Sequence, residues 1–147
     1  KLPAWSDQNS ETMMKKTIIT SGKRNTATAR ATLRPGTGKI HVNNTSLSVY
    51  TPSVAQMRMQ EPLLLADEFS DKVDIDVDFH GGGTMSGADA SRLAIAKALV
   101  EFAGKGSHLK ERFLEYDRQM LVADVRRKET CKPNDSKARS KRQKSYR

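Results

Sequence analysis

The chain has 147 residues, 36% of them hydrophobic, with nine glycines and a formal net charge of +9. At about 150 residues per domain that is one domain with a modest extension, short of the roughly 45–50% apolar content of an ordinary globular chain. With no run of ~18 apolar residues, no charged-then-apolar leader and a single cysteine, Cys131, it reads as soluble and intracellular, without a membrane span, a disulfide framework or a multi-cysteine zinc site.

Residues 1–14 contain Pro3, Asn9 and Ser10 and show no sustained periodicity. We read residues 1–15 as a loosely held extension, with Trp5 its one large aromatic. Residues 15–39 hold seven basic side chains and no acid. Within them Ala27, Ala29, Ala31 and Leu33 alternate with Thr28, Arg30, Thr32 and Arg34, the period of a half-buried strand. Thr17 to Ser21 predicts a further strand, with Gly22, Lys23 and Arg24 at its exit. Turn chemistry at Pro35, Gly36 and Gly38, followed by Ile40 and Val42, predicts that the strand pairs with its successor as a hairpin.

Thr51-Pro52 predicts a helix start, with Thr51 as cap and Pro52 at the first helical position, and Pro62 interrupts the helix. From Lys72 to His80 the alternation returns, with Val73, Ile75, Val77 and Phe79 set against Asp74, Asp76 and Asp78. Ser86 followed by Asp89 resembles a capping box before an Ala-, Leu- and Ile-rich helix ending at Gly104. Ser107 can cap a last helix in which Leu109, Phe113, Tyr116 and Met120 share a stripe. Beyond Val122 the periodicity stops, so the order predicts an α+β fold with an extended C-terminal arm.

Charge divides the chain at the same place. Residues 118–147 hold eleven Lys/Arg and three acids, a balance of +8, whereas residues 1–117 balance at +1. The last 24 residues carry only four apolar side chains, Val125, Cys131, Ala138 and Tyr146. A segment that cannot bury itself and is this basic expects a polyanion. Guanidinium forks spaced by Ser, Asn and Gln near an aromatic ring suit RNA, and fully extended the arm reaches ~80 Å at about 3.3 Å per residue.

Other chemistries fail on detail. The stretch around Gly81, Gly82 and Gly83 lies between strand and helix, as a phosphate loop does. Yet Ala88 and Asp89 stand where a P-loop needs Lys and Ser/Thr, leaving a backbone contact with RNA or a plain turn. Asp74, Asp76 and Asp78 open like a calcium loop, but Phe79 replaces its glycine and Met85 its bidentate Glu. His41, His80 and His108 define no metal or nucleophile site. A membrane-bound reading lacks an apolar stripe in the arm. No cofactor is implied.

Four segments resemble one family. GKRNTATARATLRPGTGKIHVNN (22–44), QEPLLLADEFSDKVDIDVDFHGGGTMSGADASRLAIAKALVEF (60–102), LEYDRQMLVADVRRKE (114–129) and SKRQKSYR (140–147) are similar to the universal small-subunit ribosomal protein numbered nine in bacteria. The wording of EPLLLAD, FLEYDR and QKSYR is that of the archaeal and eukaryotic branch, although Val125 stands where many relatives have Pro. The resemblance implies a mixed sheet with helices on one side, like domain two of ribosomal protein S-five, with a left-handed crossover. It also implies residence in the small-subunit head, bound to the three-prime major domain of ribosomal RNA beside neighbouring head proteins.

On that basis residues 16–123 are expected to form the globular domain and 124–147 the arm. The expected rRNA contacts are Lys23, Arg24, Arg30 and Arg34, the glycine turn at Gly81, Gly82 and Gly83, then Arg118, Arg126, Arg127, Lys128, Lys132, Lys137, Arg139, Lys141 and Arg142. The resemblance assigns contact with the anticodon stem of P-site tRNA to Lys144, Ser145, Tyr146 and Arg147. No catalysis, metal, membrane or homo-oligomer is expected.

Overall fold

Period-two alternation builds a five-stranded sheet. In the computed structural model, which describes residues 17–104, 106–133, 137–141 and 145, the strands are β1 (Ile18–Arg24), β2 (Ala27–Pro35), β3 (Ile40–Val42), β4 (Thr45–Ser46) and β5 (Val73–His80). They lie in the order β1-β2-β5-β3-β4, antiparallel except for the parallel pair β3/β5. On one face Leu33 faces Ile75 and Ala31 faces Val77, all of them buried. On the other, Arg30 faces Asp78 and Arg34 faces Asp74.

The helices are α1 (Ser53–Leu65), α2 (Asp67–Ser70), α3 (Thr84–Ala103) and α4 (Leu109–Tyr116). They cover the apolar face: α3 lies on β1, β2 and β5, and α1 packs along α3. Small residues let the layers close. Ala27, Ala29 and Ala31 of β2 and Ala90 and Ala94 of α3 are all fully buried, and a Cβ on Gly22 would stand 2.1 Å from the Ala90 carbonyl oxygen. The Thr20 hydroxyl donates to the Ala94 carbonyl at 2.7 Å, joining β1 to α3 at the same level.

The predicted hairpin between residues 27–34 and 40–42 does not form: β5 inserts between β2 and β3. Turn residues announce a reversal but not the neighbour. Here the loop wraps around Asp74, whose Oδ1 accepts from the Thr37 N–H at 2.8 Å and the Lys39 N–H at 2.9 Å. Those N–H groups, Lys39 first, hold the Asp74 carboxyl below its ordinary value. β2 instead makes its hairpin with β1, through Asn25 at φ 52, a left-handed conformation that Asn tolerates. Gly22, Lys23 and Arg24 therefore belong to β1 rather than to its exit.

Other local signals shift in place. α1 starts at Ser53 with Pro52 as its N-cap, and it continues through Pro62, which is buried with Met59 and Leu63. Packing outweighs the N–H that proline lacks. α3 starts at Thr84 with Gly83 as N-cap, so Ser86 lies inside the helix and Asp89 turns toward arginines instead of closing a capping box. Ser107 does not cap α4: its hydroxyl donates back to the Gly104 carbonyl at 3.2 Å, and the N-cap is His108. Tyr116 is exposed, since extended Asp117 (φ −157) stops the helix, and Met120 returns to the core on a 3-10 turn.

Candidate nucleic-acid interface

The arm leaves the domain where β1 ends. Arg24, the last residue of β1, pairs with Asp124 and lies 3.8 Å from Asp89 of α3. Arg58 of α1 reaches the other oxygen of Asp89 at 3.7 Å. On the far side of Asp124, Arg126 closes a tight ring: its Nη2 donates at 2.7 Å and its backbone N–H at 2.9 Å. These bonds from Arg126, the side-chain ones first, hold the Asp124 carboxyl well below the usual range. One carboxylate thus ties the arm to the first strand.

A second ionic group lies beneath it. Arg92 of α3, 7% exposed along its side chain, forms an ion pair with Glu61 at 2.6 Å and donates a hydrogen bond to Asp117 at 2.8 Å. Burial pushes the Asp117 carboxyl up, and hydrogen bonds from Arg92 and the Gln119 N–H outweigh it, leaving the group below its ordinary value. Asp117 also accepts from that N–H at 2.8 Å, which sets the turn carrying Arg118. Arg92 therefore fixes α1, α3 and the arm root together.

Two hollows flank the root. One, of about 180 Å³, has Lys23, Arg24, Arg58 and Arg92 in its wall, with Asp89 and Asp124. The other, of about 460 Å³, runs between Arg118 and Arg126 past Val122 and Val125. Lys23, Arg24, Arg118 and Arg126, drawn from distant parts of the sequence, converge here.

The remaining expected contacts lie elsewhere. Arg30 and Arg34 stand exposed on the open face of the sheet, each opposite an aspartate of β5. Gly81 and Gly82 take positive φ of 73 and 67 and turn the chain against the β1–β2 connection; a Cβ on Gly81 would meet the Thr26 carbonyl oxygen at 2.7 Å. Their glycine character is explained by that turn, while at Gly83 an added Cβ meets nothing within 4 Å. Arg127, Lys128, Lys132, Lys137, Lys141 and Ser145 are exposed, as is Arg139, which pairs with Glu129 at 2.8 Å. Arg142, Lys144, Tyr146 and Arg147, like residues 1–15 with Trp5, lie outside the described residues.

Sequence reasoning missed Arg58, Arg92 and Asp124. Arg92 had a usable signal, a lone guanidinium within the Ala- and Leu-rich run of α3, which demands buried carboxylate partners. Arg58 had none. Among the described residues no group of His, Cys, Asp and Glu gathers as metal ligands, and no helix is long and apolar enough to cross a membrane.

The family described as ribosomal protein S9/S16 matches residues 22–147. Proteins named small ribosomal subunit protein uS9 from two strains of Methanococcus maripaludis and from Methanococcus vannielii are each 50% identical to the chain over 134 residues. The match covers 90% of this chain and 99% of each relative.

Proposed function

This chain belongs to the ribosomal protein S9/S16 family, and on that premise we propose that it is a structural constituent of the small ribosomal subunit that binds ribosomal RNA and catalyses nothing. The observation that carries the reading is the convergence of Lys23, Arg24, Arg118 and Arg126 on the root of a segment whose balance is +8. Phosphate attraction supplies affinity, and the domain's shape with the arm's fixed exit supplies placement. Residues 16–123 act as the docking domain and 124–147 as the RNA-tracking arm.

The finer assignment is part of the same proposal. The domain sits in the subunit head on the three-prime major domain of the RNA beside other head proteins, and Lys144, Ser145, Tyr146 and Arg147 touch the anticodon stem of P-site tRNA. Deleting residues 139–147 removes five basic side chains. The slope of log affinity against log salt should flatten by up to ~3.5, at about 0.7 per single-strand contact. An unchanged slope means that the arm does not lie on RNA. Arg147→Ala should weaken tRNA retention in the P site while subunits still assemble; full retention refutes the tip assignment.

A further inference from the structure

The hollow beneath the arm root has a volume of about 180 Å³. A single water needs only about 10–15 Å³ of such space, so there is room for a tetrahedral anion. Four cationic side chains face two carboxylates in its wall. Several of their donors are unspent. Arg24 Nε and Arg58 Nη1 approach Asp89 only to 3.8 and 3.7 Å, outside the ~2.7–2.9 Å of a charge-assisted hydrogen bond. Lys23 is exposed and pairs with no carboxylate among the described residues. Arg92 Nε is buried without a hydrogen-bond partner, as is Glu61 Oε2 beside it, so this arginine stays with Glu61 and Asp117.

Asp89 lies between the two arginines at distances too long for a hydrogen bond to either. Arg24 comes from β1, Arg58 from α1 and Arg92 from α3, so a group seated here touches every layer of the domain at the point where the arm departs. We propose that this hollow seats a phosphate group, with Lys23, Arg24 and Arg58 as its ligands and Asp89 as the opposing charge that keeps the seat weak until the phosphate is presented. The phosphate belongs to an RNA backbone or is free in solution; the first case rests on the RNA-binding function proposed above.

The test uses the full chain and three variants, Lys23→Gln, Arg58→Gln and Asp89→Asn, each checked for an unchanged circular dichroism spectrum. The probes are a transcript of the three-prime major domain of small-subunit ribosomal RNA and, separately, pyrophosphate. With the transcript, Lys23→Gln and Arg58→Gln should each flatten the log-log salt slope by about 0.7–0.9. Asp89→Asn should tighten binding by about fivefold, the relief of one like charge at ~4 Å in a high dielectric. A purely structural ion pair predicts the reverse for Asp89→Asn, which would then bind more weakly. If only pyrophosphate binding responds to the variants, the seat takes free phosphate. If the wild type binds the transcript and no variant alters its slope or its pyrophosphate affinity, the seat is refuted while RNA binding stands; a wild type that ignores the transcript refutes RNA binding instead.

Discussion

Gly22→Ala tests how closely the sheet and its main helix approach. The new Cβ would stand 2.1 Å from the Ala90 carbonyl oxygen and 2.9 Å from the Ala94 nitrogen, backbone atoms that cannot rotate away as a side chain does. Reaching an ordinary contact of ~3.5 Å requires α3 to lift from β1 by roughly 1.4 Å. Overpacking of this kind costs about 1–3 kcal/mol, and stretching the Thr20–Ala94 hydrogen bond adds about 1. The lower backbone entropy of alanine offsets about 0.5–1 kcal/mol. The net loss is about 1–3.5 kcal/mol, read as a melting temperature lowered by roughly 5–20 °C for a domain of this size. Urea unfolding followed by circular dichroism gives the free energy directly. Gly83→Ser is the control: it has open space and occupies the N-cap of α3, where serine is favoured. A Gly22→Ala loss under 1 kcal/mol would refute the reasoning.

Arg92→Met leaves Glu61 and Asp117 without their shared cation. Those partners are 28% and 34% exposed and regain water, so the expected loss is about 2–3 kcal/mol, less than the ~3–5 of a fully buried pair; thermal unfolding unchanged within error would contradict it. Acid should destabilise the fold with a definite sign. Asp74, Asp117 and Asp124 are held below their ordinary value when folded. The unfolded chain therefore takes up protons first, near pH 4; their contribution is complete above that and is lost as pH falls through the lowered values. Unfolding free energy should drop between pH 5 and pH 2, and Asp124→Asn should flatten the drop; a wild-type profile level over that range counts against these contacts. Glu129→Gln frees Arg139 from its pair, so RNA binding should become tighter and more salt-dependent, by up to about 0.7 in slope. A Glu129→Gln slope equal to the wild type's would show that Arg139 does not contact RNA.

The elements that alternate or repeat on their own were legible. β2 and β5 each write the core into every second residue, and α3 is long enough that its composition decides its state. What the order of residues leaves open is which strand lies beside which. The turn at Pro35, Gly36 and Gly38 satisfies the local chemistry of a hairpin, yet its carboxylate partner, Asp74, comes from a strand nearly 40 residues later. The Asn43 amide makes a similar choice: it accepts from the Phe79 N–H at 2.9 Å and so extends the β3/β5 pairing. Long-range pairing is settled by which apolar faces fit together, and no window of sequence contains that comparison.

The interface divides along the same line. A basic arm is a matter of composition, and the resemblance supplies Lys23, Arg24 and the glycine turn. The acids that meet these cations are a matter of folding. Asp124 and Glu129 count as two negative charges in a +8 segment, but in the structure each pairs with a particular arginine, Arg126 and Arg139, and so lowers what that arginine gains on meeting phosphate. A paired arginine must give up its carboxylate before it can bind an RNA oxygen, and the gain is the difference between two similar interactions. Arg127 and the exposed lysines Lys128, Lys132, Lys137 and Lys141, which pair with no carboxylate among the described residues, keep their full attraction. Net charge therefore selects the kind of partner, while the pairing of each charge decides which residues are free to meet it.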